Sequence, residues 1–169
     1  AYRTPNTRYY DGYPTILGLY VSQNDQELKL HSMFYGTPTG KYDYFQFVLS
    51  KPVLCQKLQL EFIDVTPDAS FSNNAKNAVT AEIIFLQSFA NEAIEFEPAN
   101  GFYTDNEYLN SRKIPTDKFE YSSTGDREGY PLQNAFDEQT GSYWIAKDAN
   151  SATFTNSIFI TFKEATVLE

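Results

Sequence analysis

The residues best suited to chemistry in this sequence stand close together near its beginning. Arg8 offers a planar fork of hydrogen-bond donors, while Asn6 and Asp11 offer paired donors and acceptors. Tyr9 and Tyr10 each present a flat aromatic face against which an apolar ring surface can stack. A sugar ring presents a C–H face and adjacent hydroxyls, so this segment predicts a carbohydrate-binding loop. A solvent-exposed, tyrosine-rich turn without a ligand is the alternative interpretation.

A second polar segment surrounds Asp137, which follows the apolar residue Phe136. An Asp in this place can cap the turn by accepting a hydrogen bond from the backbone two residues on. It can equally contribute a carboxylate to a calcium site, because Ca²⁺ takes about 6–8 oxygen ligands. Both interpretations remain open from the residues alone.

The composition excludes several other kinds of site. The chain has 169 residues with one His and one Cys, which excludes a self-contained two-histidine zinc motif and a thiolate zinc cluster. The formal net charge of −9 disfavours contact with a nucleic-acid backbone. Since neither a nucleophile elbow nor a distinguishable carboxylate pair stands out, we expect no catalysis. Cys55, between alternating apolar residues, is expected in the core.

The remaining chain must fold into elements that position these loops. Short segments that alternate apolar and polar residues, rich in Val, Ile, Phe and Tyr, predict strands. They lie at 28–33, 44–49, 57–65, 79–86 and 157–162. Strands at this spacing, separated by turn residues, indicate an all-β sandwich or barrel in one domain. Only 108–112 and 131–136 are candidates for a helix.

Two segments lack this alternation. Residues 70–77 are small and polar, and they predict a long exposed loop. Residues 88–118 are acidic at first and then irregular, and they predict a connector between two packed parts of one module. Trp144, the only Trp, falls in an alternating strand and is expected to be buried.

Two parts of the chain resemble the discoidin family, also called the coagulation-factor type C or galactose-binding-like family. Residues 134–144, NAFDEQTGSYW, are similar to its opening signature Ala-Phe-Asp-Gly-x-x-x-Thr-x-Trp, with Glu138 in place of Gly and Ser142 in place of Thr. Residues 57–62 and 77–85 look like its closing pair of strands, which end in Ala-Glu-Ile-x-Phe. The resemblance implies a galactose-binding-like β-sandwich, or jelly roll.

The two parts stand in the reverse of the family's order. The closing half is expected in residues 1–87 and the opening half in 119–169, with 88–118 as the connector. We therefore expect either a circularly permuted module or the second half of one module followed by the first half of the next. In the second case two chains could complete each other as a domain-swapped dimer. Because residue 1 is Ala, we expect a piece of a longer protein.

The resemblance also implies a structural Ca²⁺ ion. Its ligands would be the side chains of Asp137, Gln139, Ser142 and Glu82 and the backbone carbonyls of Asn134 and Ala81. Gln139 is neutral at a position where many relatives carry Asp. The ion would fix loops and take no part in catalysis.

A sugar site is implied beside it. In galactose-binding relatives an Arg and a nearby Asn contact the sugar, and Arg8 and Asn6 are the nearest matches, with Arg3 as a rival for the first role. The His that often joins them has no counterpart, because the only His of this chain falls in a predicted strand. Relatives build the rim of the ligand site from the loops that carry Tyr130 and Lys147 here.

These observations predict a non-catalytic, lectin-like module of a larger extracellular or cell-surface protein, which binds galactose-type or related glycans of a glycoprotein through its end loops. The alternative is a structural or protein-interaction module that touches neighbouring domains of its parent protein and has no sugar site. Binding to anionic membrane lipid, known in some relatives, is disfavoured by the acidic charge.

Overall fold

The computed structural model describes residues 2–3, 14–23, 26–35, 44–45, 49, 51–66, 76–80, 82–85, 87, 113–139 and 141–168. These residues form ten β-strands and two short 3₁₀ turns, Thr116–Lys118 and Leu132–Ala135, and none of them forms an α-helix. The strands are β1 (Tyr2–Arg3), β2 (Pro14–Ser22), β3 (Lys29–Tyr35), β4 (Tyr44–Phe45), β5 (Val53–Val65), β6 (Val79–Thr80), β7 (Glu82–Ile83), β8 (Phe119–Ser123), β9 (Trp144–Ile145) and β10 (Asn156–Leu168). The predicted all-β class is confirmed.

The strands pair in antiparallel sheets. The largest has five strands in the order β3-β2-β5-β10-β8, a second has the order β4-β1-β7, and β6 pairs with β9. In the middle of the large sheet, β5 and β10 run side by side from Phe62 opposite Asn156 to Val53 opposite Leu168. The candidate site lies at the end of this pairing where Phe62 is opposite Asn156.

The side chains of β10 show why the segment is a strand. Ile158, Ile160 and Phe162 alternate along it, and each is at most 1% exposed. Thr161 and Lys163 alternate with them and are exposed. A period of two buries one face of the strand against the core and leaves the other toward solvent.

The buried face of the large sheet packs against the smaller sheets, as the layers of a sandwich do. The ring of Phe62 in β5 lies 5.7 Å from that of Trp144 in β9. Trp144 and Cys55 are fully buried, so both expectations for the core are confirmed. Burial of side chains of this size contributes about 1.5–3 kcal/mol each.

An aromatic cluster fills one part of the core. It comprises Phe85, Phe119, Tyr121, Phe136 and Phe162. The ring of Phe119 lies 5.6 Å from those of Phe85 and Phe136 and 5.8 Å from that of Phe162, edge to face in each case. Tyr121 stacks on Phe136 at 4.6 Å. Such pairs add about 0.5–1.5 kcal/mol each beyond the burial of apolar area.

Several predicted elements differ in detail. Within the predicted strand 79–86, β6 pairs with β9 whereas β7 pairs with β1. The helix candidate 131–136 is a short 3₁₀ turn, and the candidate 108–112 lies outside the described residues. At the end of the predicted exposed loop 70–77, Asn77 is buried at 6% exposure.

Only the last part of the predicted connector lies within the described residues. Ile114 is buried, and its backbone N–H donates to the carbonyl of Phe85 at 2.9 Å. This part of the connector therefore packs on the sandwich. The described helical turns are all too short to cross a membrane.

Candidate functional site

Buried amide side chains tie together the loops at one end of the large sheet. Asn156, at the start of β10, is 1% exposed. Its Nδ2 donates to the carbonyl of Asp148 at 2.8 Å and to Oδ1 of Asn150 at 2.7 Å. Its Oδ1 accepts from the Thr124 hydroxyl at 3.1 Å. Asn150 in turn donates to the carbonyl of Phe62 in β5.

Asn77 extends this arrangement to a third loop. Its Nδ2 donates to the carbonyl of Ala146 at 3.0 Å, and the Ala146 N–H donates to the carbonyl of Ala78 at 2.8 Å. We call Asn77, Thr124, Asn150 and Asn156 the loop network. Because an unpaired polar group in such a place costs about 1–3 kcal/mol, the network fixes the loops that contain it.

The loops after β8 and before β10 run beside each other. The N–H of Arg127 donates to the carbonyl of Ile145 at 2.9 Å, and that of Lys147 to the carbonyl of Gly125 at 3.1 Å. Gly125 has φ +154°, and a Cβ built there would lie 3.4 Å from Cβ of Lys147. That distance is an ordinary contact, so it is the positive φ that favours glycine here, because a side chain would strain the turn.

Asp126 explains how the buried Trp144 satisfies its indole N–H. Oδ1 of Asp126 accepts from Nε1 of Trp144 at 2.9 Å and also from the Ser123 hydroxyl. Oδ2 accepts from the N–H of Leu132 at 3.1 Å. One carboxylate thus joins the loop after β8, the start of a 3₁₀ turn and the core Trp.

The structure brings two tyrosines together on these loops. The rings of Tyr130 and Tyr143 stack at 5.1 Å with an interplanar angle of 28°. Both side chains are half-buried, and Lys147 on the neighbouring loop is exposed. The arrangement offers a partly exposed aromatic surface and a cation on loops that the network holds in place. Such a surface suits stacking against the apolar face of a ligand.

Most of the predicted sugar-binding residues lie outside the described part of the chain. These are Asn6, Arg8, Tyr9, Tyr10 and Asp11.

The chain on either side of that segment is described. Pro14, which follows it, pairs with Val65 at the loop-network end of the large sheet. Arg3, the rival candidate, lies in β1, where its backbone pairs with Tyr44 and Glu82.

Asp137 makes the hydrogen bonds of a capped turn. Its Oδ1 accepts from the N–H of Gln139 at 2.9 Å. The hydroxyl of Ser142 lies 2.7 Å from Oδ2 of Asp137, its closest acceptor, and 3.2 Å from the carbonyl of Gln139. The structure therefore brings three of the predicted calcium ligands together, in contacts that also account for them as a turn.

The other predicted calcium ligands are described only in part. The Asn134 side chain donates to the carbonyl of Tyr143 at 3.0 Å. Glu82 lies in β7, and Ala81 lies outside the described residues. The backbone of Glu82 pairs with that of Arg3 in β1. Among the described residues, no three His, Cys, Asp or Glu side chains are grouped as metal ligands.

Glu138 adopts the backbone conformation that glycine favours. Its φ is +61°, in the left-handed region. The discoidin family, which segment 134–144 resembles, carries Gly at this position. The Glu138 carboxylate lies 2.6 Å from Nζ of Lys113, so the side chain links the turn to the residues before β8.

Carboxylates near the same end of β5 have local partners. Lys76 and the Thr15 hydroxyl donate to Asp64 at 2.8 Å each, and they hold the pKa of that carboxyl below its usual range. A hydrogen bond to Glu61 raises the pKa of Tyr20. These are charge and hydrogen-bond pairings at the surface of the sheet, and they include no nucleophile next to a general base.

Sequence reasoning missed Tyr143, Asp126 and Asn156. Tyr143 lies in the signature segment 134–144. The available signal for it was its position directly before the alternating strand that begins with Trp144. The roles of Asp126 and Asn156 depend on contacts with residues 18 and 32 positions away, which a local pattern does not reveal.

No protein-family model, curated protein or solved structure matches the chain.

Proposed function

We propose that the chain is a non-catalytic carbohydrate-binding module, of galactose-binding-like type, from a larger extracellular or cell-surface protein. The observation that carries the proposal is the stacked pair of Tyr130 and Tyr143 on loops fixed by the loop network. Rigid loops reduce the entropy that is lost when a ligand binds, and an aromatic surface matches the apolar face of a pyranose ring.

The segment that contains Asn6, Arg8 and Asp11 would supply the polar contacts of this site. Its sequence neighbour Pro14 lies at the end of the sheet that also carries Thr124 and Asn156, which supports a common site for these loops. A shallow site of this kind binds with a dissociation constant of roughly 0.01–1 mM. Galactose-type and related glycans are the proposed ligands.

Titration with galactose, N-acetylgalactosamine and a glycan array tests the proposal. We expect saturable binding to at least one glycan, and a loss of affinity of at least about tenfold in Tyr130→Ala. Tyr35→Ala is the matched control, because Tyr35 is 75% exposed and lies on β3 at the opposite edge of the large sheet from β8. Folded protein that binds no glycan contradicts the proposal and favours the structural or protein-interaction module.

A second pair of variants locates the polar contacts. Arg8→Ala is expected to abolish binding, and Lys147→Ala is expected to weaken it severalfold. Lys163→Ala removes an exposed charge from the middle of β10 and is expected to leave binding unchanged. Equal effects of all three substitutions would indicate only the loss of overall charge.

We also propose that Asp137, Ser142, Gln139 and Glu82 hold a structural Ca²⁺ with the carbonyls of Asn134 and Ala81. All are oxygen donors, as a hard cation requires, and Asp137 and Ser142 are already adjacent. The backbone of Thr80, the second residue before Glu82, pairs with that of Trp144, the second residue after Ser142. The bound ion would stiffen the loop that leads to Tyr143.

Asp137→Asn separates the calcium site from a simple turn. Asn retains the oxygen that accepts from the Gln139 N–H but lowers the negative charge available to Ca²⁺. We expect millimolar CaCl₂ to raise the Tm of the native protein by several degrees and the Tm of Asp137→Asn by much less. If the Tm is the same in CaCl₂, MgCl₂ and EDTA, Asp137 caps the turn and binds no Ca²⁺.

A further inference from the structure

The end of β10 and the start of β1 both pair with the same short stretch of chain, residues 83–87. Leu168 forms an antiparallel bridge with Gln87. Tyr2 pairs antiparallel with Ile83, four positions earlier in that stretch. At about 3.3 Å per residue, roughly 13 Å separates the two positions along an extended strand. Since both pairings are antiparallel to the same stretch, β10 runs toward the start of β1 and the two strands point the same way.

On the opposite side of these strands, the partners follow the same order. Leu168 also pairs with Val53, the first residue of β5. Tyr2 pairs with Phe45 in β4, the strand that precedes β5 in the chain. Val53 and Phe45 are eight positions apart, whereas Gln87 and Ile83 are four apart, so the two sides agree on the order of the pairings and differ in their spacing. On each side, the partner of Tyr2 precedes the partner of Leu168 in the chain, as an antiparallel arrangement of one strand would require.

We propose that the end of β10 and β1 are two parts of a single strand, so that one copy of the chain closes on itself as a circularly permuted sandwich. This joint strand passes from the five-stranded sheet to the three-stranded sheet and forms a corner between them. The closure of the chain on itself rests on backbone pairing alone and does not depend on glycan binding, whereas the permuted order of its halves is implied by the resemblance to the discoidin family.

The pairing with residues 83–87, the shorter of the two spans, sets the minimum length of the joint. If residue 169 were bonded to residue 1, Tyr2 would follow Leu168 after three peptide steps, whereas the partner stretch takes four. One inserted residue makes the two counts equal. A longer insertion would have to bulge out of the sheet.

Backbone cyclisation of the full chain tests this proposal. The first variant joins residues 169 and 1 through one Gly, and the second joins them through an eight-residue Gly/Ser linker. We expect both circles to be monomeric and folded, with Tm values above that of the linear chain by an amount on the order of 10 °C, because cyclisation lowers the entropy of the unfolded chain. The one-residue circle should be at least as stable as the other.

A linear permutant provides a second test that needs no cyclisation. It begins at Thr153, ends at Ala152 and carries the same single Gly between residues 169 and 1, so that the break falls in an exposed turn. We expect it to unfold cooperatively and to have the circular dichroism spectrum of the parent chain.

Two outcomes would overturn the proposal. In the first, the eight-residue linker is tolerated while the one-residue circle and the permutant fail to fold, which would show that the ends are not in register. In the second, the linear chain is a dimer in solution and the one-residue circle is an unfolded monomer. The strand would then be supplied by a second copy, as in a domain swap.

Discussion

The aromatic cluster and the loop network are both largely buried, but different forces hold them together. In the aromatic cluster, Phe119 meets three other rings at 5.6–5.8 Å, and its stability comes from dispersion and the exclusion of water. In the loop network, Asn156 is held by directed hydrogen bonds of 2.7–3.1 Å. Dispersion requires volume, whereas hydrogen bonds require a donor and an acceptor at fixed places. The first region can therefore be repacked, and the second cannot.

Removal of a ring from the aromatic cluster is expected to have the largest effect on stability. Phe162→Ala should lower the free energy of unfolding by about 3–5 kcal/mol, since Phe162 is 1% exposed and a cavity would remain. Urea unfolding measures the loss. Phe154→Ala, at a residue 36% exposed, should cost less than about 1 kcal/mol. At a temperature where Phe162→Ala is still folded, we expect unchanged glycan affinity.

Removal of an amide from the loop network should lower both the stability of the protein and its affinity for glycan. Asn156→Ala is expected to cost about 2–4 kcal/mol, because it removes the hydrogen bonds that the buried amide makes with Thr124, Asn150 and the Asp148 carbonyl. Unlike Phe162→Ala, it should also weaken glycan binding under conditions where the protein is folded. Gln133→Ala, at an exposed amide, is the control. Equal affinities for the two destabilised variants would mean that the network does not position the site.

The prediction from sequence succeeded where a local period of two was sufficient. It located the strand at 157–162 within β10 and that at 57–65 within β5, and it placed Trp144 in the core. It did not anticipate that β6 and β7 pair with different strands. There the chain changes partners from β9 to β1, and the identity of a pairing partner is not a property of the local residues.

The candidate site was less predictable for the same reason. Tyr130 and Lys147 were selected from their loops, but the stacked partner Tyr143 and the network behind it depend on contacts between segments far apart in sequence. Asp137 illustrates an intermediate case. Its hydrogen bonds to Gln139 and Ser142 are local, and a turn capped by Asp137 was one of the two alternatives stated from the residues.

The buried thiol of Cys55 makes the stability of the protein depend on pH in the alkaline range. Burial raises the pKa of its thiol from 9.0 to about 12. Above pH 9 the unfolded chain loses this proton and the folded chain keeps it, so stability present at lower pH is lost as the pH rises toward 12. The slope is about 1.4 kcal/mol per pH unit. Urea unfolding between pH 8 and 10.5 gives the free energy of unfolding of the native protein and of Cys55→Ala. The difference between the two should fall with this slope above pH 9, and a difference that does not change with pH would contradict the prediction.

The smallest effect is expected at the surface pair of Lys76 and Asp64. Both side chains are more than 40% exposed, so Lys76→Ala should cost less than about 1 kcal/mol at neutral pH. Because the pKa of Asp64 is lowered from its ordinary 3.8, the contribution of the pair is present above that value and is lost as the pH falls through the lowered pKa. Native and variant stabilities should therefore converge in acid. A constant difference would assign the effect to the alkyl chain of Lys76.

The central pairing of β5 with β10 has a consequence for how the protein is made. The two strands are separated by roughly 100 residues, so the pairing is a contact of high sequence separation and should make folding slow. On a ribosome that adds about 5–20 residues per second, β5 emerges roughly 5–20 s before its partner exists. For that interval β5 can pair with β2, but its other edge lacks β10, and the core around Leu58 and Phe62 is incomplete. Chaperone binding to the nascent chain is expected to begin at β5 and to end when β10 arrives.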